Sequence, residues 1–511
     1  MEEGFCVNSG KQRKVGIILS YLTIIVSTLV QLLYTPLLIR MLGQSEYGLY
    51  SLVSSIIGYL TVLDLGFGNA IIVYTTKFHT QGKFDDEKKL HGMFKIVFSI
   101  IGLIAVLLGG ILYLNVNNLF GNTMNSLELE KMKIMMLILV FNLAITFPFS
   151  IYSSIINAYE KFTFQKVLSI LNTILKPILM IPLLFMGYKS ISLCVIITIV
   201  NLMVLLSNYF YCRSKLDIRI KYMGFDKTLF KAILGYSIWI FLGIIVDKVN
   251  WSVDQFVLGA VSGTIAVSIY SVASQINTLF INLSTAVSGV MLPKVTKMIA
   301  NNETTDKLSN EFIKVGRIQY YIIFLMVSGF TLVGKDFIIL WAGKEFEVAY
   351  YVTLILIIPI SFPLIQNLGI SVMQALNKYK FKSISTFIMA IANIFISIYL
   401  AKRYGPIGSA IGTSIALVIC NIILINIYYH KVININVIKF WKNIFEMTMW
   451  FIIPVALVLV LMFLTKLDGI TGILVYSFVY TIMYGIICLL FVMNEYEKTI
   501  LNKVFKKFRV R

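Results

Sequence analysis

Charge is scarce in this chain: Asp, Glu, Lys and Arg make up 13% of its 511 residues, and only 24 of those residues are acidic. A soluble domain carries about a quarter of its residues as charge, so that shortage excludes a fold bathed in water on every side. Cysteine is nearly missing. Cys6, Cys194, Cys212, Cys420 and Cys488 have no paired spacing, which argues against a disulfide framework or a thiolate metal site and leaves them as small apolar fillers. The three histidines, His79, His91 and His430, form no cluster with metal-ligand spacing, and no Gly-rich loop ending in Lys-Ser/Thr is found. Neither metal-dependent catalysis nor an ATP-driven engine within this chain has support, and no cofactor is expected. The acidic run Asp85-Asp86-Glu87, beside Lys88 and Lys89, reads as a solvated loop rather than a sugar-transfer site.

What is present is hydrocarbon. Hydrophobic residues make up 58% of the chain, in runs separated by short polar breaks. About 20 apolar residues span a bilayer core as a helix. By that measure about fourteen spans are predicted, near 16–38, 48–74, 93–114, 133–156, 168–186, 190–211, 232–258, 264–291, 318–334, 350–376, 384–401, 407–429, 446–465 and 470–493. The runs are continuous rather than alternating, which excludes a barrel. The first is too long for a signal peptide, contains Pro36 and lacks a small-residue cleavage site, so it is expected to be a true span. The fold class expected is therefore an all-α integral membrane protein.

Basic residues of short loops stay on the cytoplasmic side. With both termini inside, 33 of the 44 Lys and Arg fall in cytoplasmic segments, nine lie outside, and two, Lys176 and Lys248, remain within the bilayer. The net charge of +20 is then a topology signal. Dispersed over short loops, it does not make a nucleic-acid surface.

The chain also echoes itself. Gly43, Tyr50, Ser51, Ser54 and Ile56 recur 220 positions later as Gly263, Tyr270, Ser271, Ser274 and Ile276. Ala158-Tyr-Glu-Lys161-Phe-Thr-Phe164 is matched by Ala375-Leu-Asn-Lys378-Tyr-Lys-Phe381 at an offset of 217. Duplicated membrane halves point to transport. The expected division is two pseudo-symmetric six-helix lobes, 1–212 and 232–430, joined by a basic linker at 213–231, with two further helices and a basic tail at 431–511. Pro148 in span four and Pro359 and Pro363 in span ten mark bends that either line a path or serve packing.

An ionisable side chain deep in a span is costly unless it faces a partner or a wet cavity. Lys176, mid-span beside Pro177, either holds an anionic group in a cavity or pairs with a carboxylate such as Asp247. Asp247, Asn250, Trp251 and Asp254 follow i, i+3, i+4, i+7 spacing and share one face of span seven. That stripe suits coordination of a proton or sodium ion or contact with sugar hydroxyls; the alternative is that Asp254 is an ordinary surface charge at the outer end. Asp64, before Gly66 and Gly68, is similarly placed in span two. Arg40, ending span one, is either a headgroup anchor or a cavity cation.

The run Pro36-Leu-Leu-Ile-Arg40-Met-Leu-Gly43-Gln-Ser-Glu46-Tyr47-Gly48-Leu-Tyr50, then Leu63-Asp64-Leu65-Gly66-Phe-Gly-Asn-Ala70, resembles the opening of bacterial polysaccharide biosynthesis exporters of the O-antigen flippase type, within the multidrug/oligosaccharidyl-lipid/polysaccharide exporter superfamily. Asp254-Gln-Phe-Val-Leu258-Gly259, and Tyr404-Gly405-Pro-Ile-Gly408-Ser-Ala410, are similar to that family's second lobe. The resemblance implies a non-enzymatic, two-lobed exporter of the bacterial cytoplasmic membrane. It would open alternately to either side and carry an oligosaccharide on a polyprenyl pyrophosphate. A polysaccharide polymerase and glycosyltransferases are its implied partners. Cationic groups then suit the pyrophosphate, with Lys176, Arg40 and Lys248 the candidates, and Asp64, Asp247, Asn250, Trp251 and Asp254 left for ion coupling or sugar contact. Two relatives share the pattern: a drug or organic-cation antiporter, which would use the acids, and a peptidoglycan-precursor flippase.

Overall fold

The computed structural model describes the backbone of residues 3–499 apart from 221, 223, 289–296, 300, 302 and 377. Side chains of 3–14, 16 and 17, and several within 236–252 and 283–288, lie outside the described set. Among the described residues no strand forms. In lipid only a helix satisfies its own N–H and C=O groups within one segment, so each long apolar run becomes one. Twelve described helices are long and apolar enough to cross a membrane. Two long helices turn at a glycine: Lys227–Ser288 at Gly263 and Lys380–Leu417 at Gly405.

The chain divides into two compact units, Met1–Ser271 with Ile394–Ser409, and Val272–Asn393 with Ala410–Arg511. The first is built on α1 (Glu3–Leu42), α2 (Gln44–Leu60), α3 (Phe67–Thr80), α4 (Phe84–Phe120), α5 (Ser126–Ala158), α6 (Phe162–Phe185), α7 (Ser190–Lys215) and the first part of α8 (Lys227–Ser288). The second holds the rest of α8, α9 (Thr305–Trp341), α10 (Val348–Ile365), α11 (Asn367–Ala375), most of α12 (Lys380–Leu417), α13 (Ile425–Lys431), α14 (Val437–Thr465) and α15 (Gly469–Ile487).

The sequence echo has a conformational counterpart. Gly43, between α1 and α2, has φ 82 and ψ 166, and Gly263 has φ 82 and ψ −175. An L side chain is unfavourable at that positive φ, which explains why glycine stands at both turns. Beyond the matched motifs, Asp217 (φ 49) and Asn434 (φ 61), 217 apart, are both left-handed residues just past corresponding helices.

Of the prolines, Pro148 leaves α5 continuous. The Ala144 carbonyl, which its missing N–H leaves free, is covered by the close approach of Gly102 in α4, where a Cβ would stand 2.7 Å from that oxygen. Pro359 and Pro363 end differently: α10 stops at Ile365, and the chain restarts at Asn367 across the buried Gln366.

The core of the first unit includes Phe67 set edge-on to Phe94 at 5.2 Å. In the second unit Tyr476, Tyr480 and Tyr484 form a buried stripe at i, i+4, i+8 on α15. Tyr480 bonds Ser328, Tyr484 donates to the Tyr321 carbonyl at 2.8 Å, and Tyr484 stacks on Phe451 at 4.4 Å. Hydrophobic attraction does little between helices in lipid; these hydroxyl and ring contacts are what bind the last two helices to α9.

Candidate functional site

The second span is interrupted at mid-length. After α2 the chain makes a 3-10 turn, Thr61–Asp64, and then places Leu65 (φ 53, ψ 15) and Gly66 (φ 73, ψ 12) in the left-handed region before α3 begins. Leucine there costs about 1–2 kcal/mol. The half-buried Asp64 carboxylate lies beside the start of α3, its Oδ2 3.8 Å from where a Cβ on Gly68 would stand. A broken span with an acidic residue at the break matches the way membrane transporters place ligand sites.

A second polar cluster lies in the same unit. Lys248 brings its Nζ to 3.6 Å from where a Gly58 Cβ would stand. Next to Gly58, the buried Tyr59 hydroxyl finds no hydrogen-bond partner. It lies close enough to Asp254 to feel its charge. Asp254 is 1% exposed and accepts from Tyr270 Oη at 2.5 Å and Ser409 Oγ at 2.7 Å. The surface-charge alternative for Asp254 is therefore corrected: the helix that starts at Thr264 turns back over it and delivers Tyr270. The side chains of Asp247, Asn250 and Trp251 lie outside the described residues, so their shared face stays an expectation.

Lys176 is half-buried on α6 and, among the described residues, meets neither an ion-pair nor a hydrogen-bond partner. One turn before it the buried Oδ1 of Asn172 is also unpartnered. Arg40 is exposed at the end of α1. Lys176 is not drawn into the Tyr59 cluster by any described contact. Sequence reasoning missed Tyr59 and Asn172 because neutral side chains carry no alarm in an apolar run.

At the end of the spans that charge assigns to the outside, Thr264 Oγ1 donates to Glu128 at 2.9 Å, and Ser45 bonds the same carboxylate. Thr123 Oγ1 donates to the Gly259 carbonyl at 2.7 Å. Glu46, 9% exposed, receives Lys131 and Ser190. A Cβ on Gly48 would stand 1.9 Å from the Thr264 carbonyl, so the two repeated turns meet backbone to backbone.

At the other end the solvated-loop reading of Glu87 is corrected. Glu87 is 4% exposed, accepts from Tyr159 Oη at 2.7 Å and lies 3.2 Å from His79 Nδ1. Helix α4 starts at Phe84, so the run is the first turn of a helix and one acid of three points inward. Burial, then the Glu87 carboxylate, pushes the Tyr159 phenol up. A cavity of about 1000 Å³ opens there, its wall including Lys88, Asp217, Arg219 and Tyr222. Lys95, assigned to a loop from sequence, donates to the Pro148 carbonyl at 2.9 Å and lies over the Phe149 ring at 4.5 Å.

The second unit carries an apolar groove of about 530 Å³ among α9, α10 and α14, its lining including Phe324, Ile358, Phe362, Trp441 and Phe445. At one edge Trp441 Nε1 donates to Asn426 Oδ1 at 2.9 Å, and Gln366 Nε2 shares that acceptor at 2.8 Å.

Comparison with known proteins agrees with these features. The family model described as polysaccharide biosynthesis protein matches residues 14–299. A Shigella flexneri protein named "Putative O-antigen transporter" is 20% identical over 408 residues, 78% of this chain and 93% of its own. Among solved structures, the lipid II flippase MurJ in an inward closed conformation superposes with a TM-score of 0.72 at 19% identity, covering 97% of this chain and 99% of that one. An inward-facing multidrug resistance transporter of the MATE family, of the MOP superfamily, gives 0.59 at 14% identity over 78% and 96%. A multi-pass, all-helical chain with broken and glycine-turned spans, this protein belongs to the polysaccharide biosynthesis protein family and has the fold of the MOP-superfamily transporters.

Proposed function

We propose that the protein is a flippase that moves an oligosaccharide carried on polyprenyl pyrophosphate, the repeat unit of a surface polysaccharide, from the cytoplasmic to the outer leaflet by alternating access. The cargo follows its family and its likeness to an O-antigen transporter. The observation that carries the reading to the site is the set of polar atoms at mid-span in the first unit that the fold leaves unpartnered: the Lys176 ammonium, Asn172 Oδ1 and Tyr59 Oη.

A sugar headgroup and a pyrophosphate cannot enter hydrocarbon without replacement for their lost hydration. Hydroxyl, amide and ammonium groups that the fold has not already satisfied are the replacement available here. Lys176, with Lys248 and Arg40, is assigned to the pyrophosphate. Asp64 and Asp254 are assigned to ion coupling or sugar contact, along with Asp247, Asn250 and Trp251. The polyprenyl tail needs no such help and stays in lipid. The hydrogen-bonded seam around Glu128 and Thr264 has the makeup of a closure that must part once per cycle, since hydroxyl-to-carboxylate bonds exchange readily with water. We assign the protein to the bacterial cytoplasmic membrane with both termini inside, working between the glycosyltransferases that build the lipid-linked unit and the polymerase that consumes it.

The test is deletion of the gene. A lipid-linked oligosaccharide is expected to accumulate on the cytoplasmic leaflet and to be cleared by the wild-type chain. Lys176→Ala, shown to insert normally, is expected to leave most of it uncleared, with Lys176→Arg restoring export in part. No accumulation on deletion would refute the cargo; normal export by Lys176→Ala would refute the site.

A further inference from the structure

Buried amides of the second unit find partners at two places. Gln366 Nε2 donates to Asn426 Oδ1 at 2.8 Å, and Asn393 Nδ2 to Thr413 Oγ1 at 3.1 Å. Asn277, in the part of α8 that belongs to the same unit, departs from that pattern. It is 1% exposed, and neither its Nδ2 nor its Oδ1 has a hydrogen-bond partner. Two turns further along, Ser284 is 2% exposed and its Oγ is also without a partner. A spacing of seven residues puts the two side chains on one face of the helix, about 10 Å apart along its axis.

A hydroxyl inside a helix can return its proton to a carbonyl one turn back. Thr278, the residue after Asn277, does so to the Ser274 carbonyl at 2.8 Å, and Thr353 of α10 to the Ala349 carbonyl at 2.7 Å. Ser284 forgoes that bond. The duplicated motif shows further that the fold has no need of an amide at this register. At the offset of 220, Asn277 corresponds to Ile57, a buried apolar residue of α2, and Ser284 corresponds to Asp64. A buried polar group without a partner lowers stability, and isoleucine at the matching position avoids the loss. Both groups are therefore kept for partners that this conformation does not supply.

We propose that Asn277 and Ser284 form a neutral stripe on α8 that hydrogen-bonds the sugars of the lipid-linked cargo when alternating access wets that face. The asparagine amide donates through Nδ2 and accepts through Oδ1, and the serine hydroxyl does either. Sugar hydroxyl and acetamido groups each donate and accept, so they match both residues. Neither residue is charged, so the stripe offers nothing particular to a pyrophosphate, which is left to Lys176, Lys248 and Arg40. Because the separation along α8 exceeds one pyranose ring, the two residues meet different sugars of the oligosaccharide. The proposal deepens the flippase reading and rests on it for the cargo.

The experiment titrates the purified full chain in lipid nanodiscs with two probes: polyprenyl pyrophosphate without sugar, and the lipid-linked oligosaccharide extracted from cells lacking the gene. Asn277→Leu, close to asparagine in volume, is expected to keep or raise the Tm measured without probe, since it removes an unpaired buried amide. It should bind the sugar-bearing lipid at least tenfold more weakly than the wild type and polyprenyl pyrophosphate equally well. Ser284→Ala should show the same split to a smaller extent. An Asn277→Leu chain that unfolds at lower temperature, or does not fold, would mark the amide as a structural group and overturn the proposal. Unchanged affinity of either variant for the sugar-bearing lipid would overturn it too. A wild-type chain that binds neither probe refutes the cargo reading, whereas one that binds both equally well refutes only the sugar contact.

Discussion

Asp254 illustrates how little a residue's sequence position says about its surroundings. Near the outer end of its span it looks like a surface charge, yet it is buried under two hydroxyl donors. Removing the Asp254 carboxylate leaves the Tyr270 and Ser409 hydroxyls without their acceptor, at about 1–3 kcal/mol for each buried group so orphaned. Asp254→Ala is therefore expected to lower the Tm of the purified protein by several degrees, and Tyr270→Phe by less, because Ser409 still donates. An unchanged Tm in Asp254→Ala would contradict the anchoring role. Arg317 and Glu497 make a similar pair in the second unit, with the Arg317 Nε donating to Glu497 Oε1 at 2.7 Å. Burial acts to raise the Glu497 pKa, but the Arg317 guanidinium, with help from Asn494 and Tyr321, outweighs it and holds the carboxyl below its ordinary 4.5. A depressed folded value means the carboxylate stabilises the fold at neutral pH, and this contribution is lost as pH falls below 4.5 towards the folded value. In Glu497→Gln the fall of Tm between neutral pH and pH 3 is expected to be shallower than in the wild type; an identical slope would contradict it.

At the scale of elements, glycines and breaks decide what each span does. The recurrence of Gly43 as Gly263 was legible in sequence, whereas the positive φ of 82 that makes each a turn was seen only in the structure. The close approach of Gly48 to the Thr264 carbonyl was not legible, since it depends on which helices become neighbours. Gly48→Ala would place a methyl group 1.9 Å from that oxygen, and overpacking of this kind costs about 1–3 kcal/mol. The variant is expected to insert but to export poorly and to unfold at lower temperature. Wild-type export and Tm would mean that the two turns part freely. Pro148 lies within a continuous α5, with Gly102 of α4 against the carbonyl it leaves free, whereas Pro359 and Pro363 lie in α10, which ends at Ile365. The break at Asp64 was not predicted, because Asp64-Leu65-Gly66 is too short a polar signal to interrupt an apolar run.

At the scale of the whole molecule the fold class follows from the counting of apolar residues, and the inside-positive distribution of Lys and Arg yields an orientation that can be measured. With accessible cysteines introduced one at a time into a background cleared of the native five, Lys402→Cys is expected to react with an impermeant maleimide in intact cells, whereas Lys439→Cys should react only after the membrane is opened. The reverse pattern would invert the topology. The family match over residues 14–299 covers the stretch that holds the first motif, the broken span and the stripe on span seven, so the resemblance and the polar sites share the same part of the chain.

Hydrocarbon content alone determined that the backbone must be helical, since lipid offers no partner for a peptide group, and the repeated motif at Gly43 and Gly263 marked the chain as duplicated. Tertiary structure decided the rest. Whether Asp254 faces water or a tyrosine, and whether Glu87 is solvated or clasped by Tyr159, depend on which helix lies alongside. Helix pairing is fixed by the shapes of side chains hundreds of positions apart, and the periodicity of a single apolar run carries no record of its neighbours.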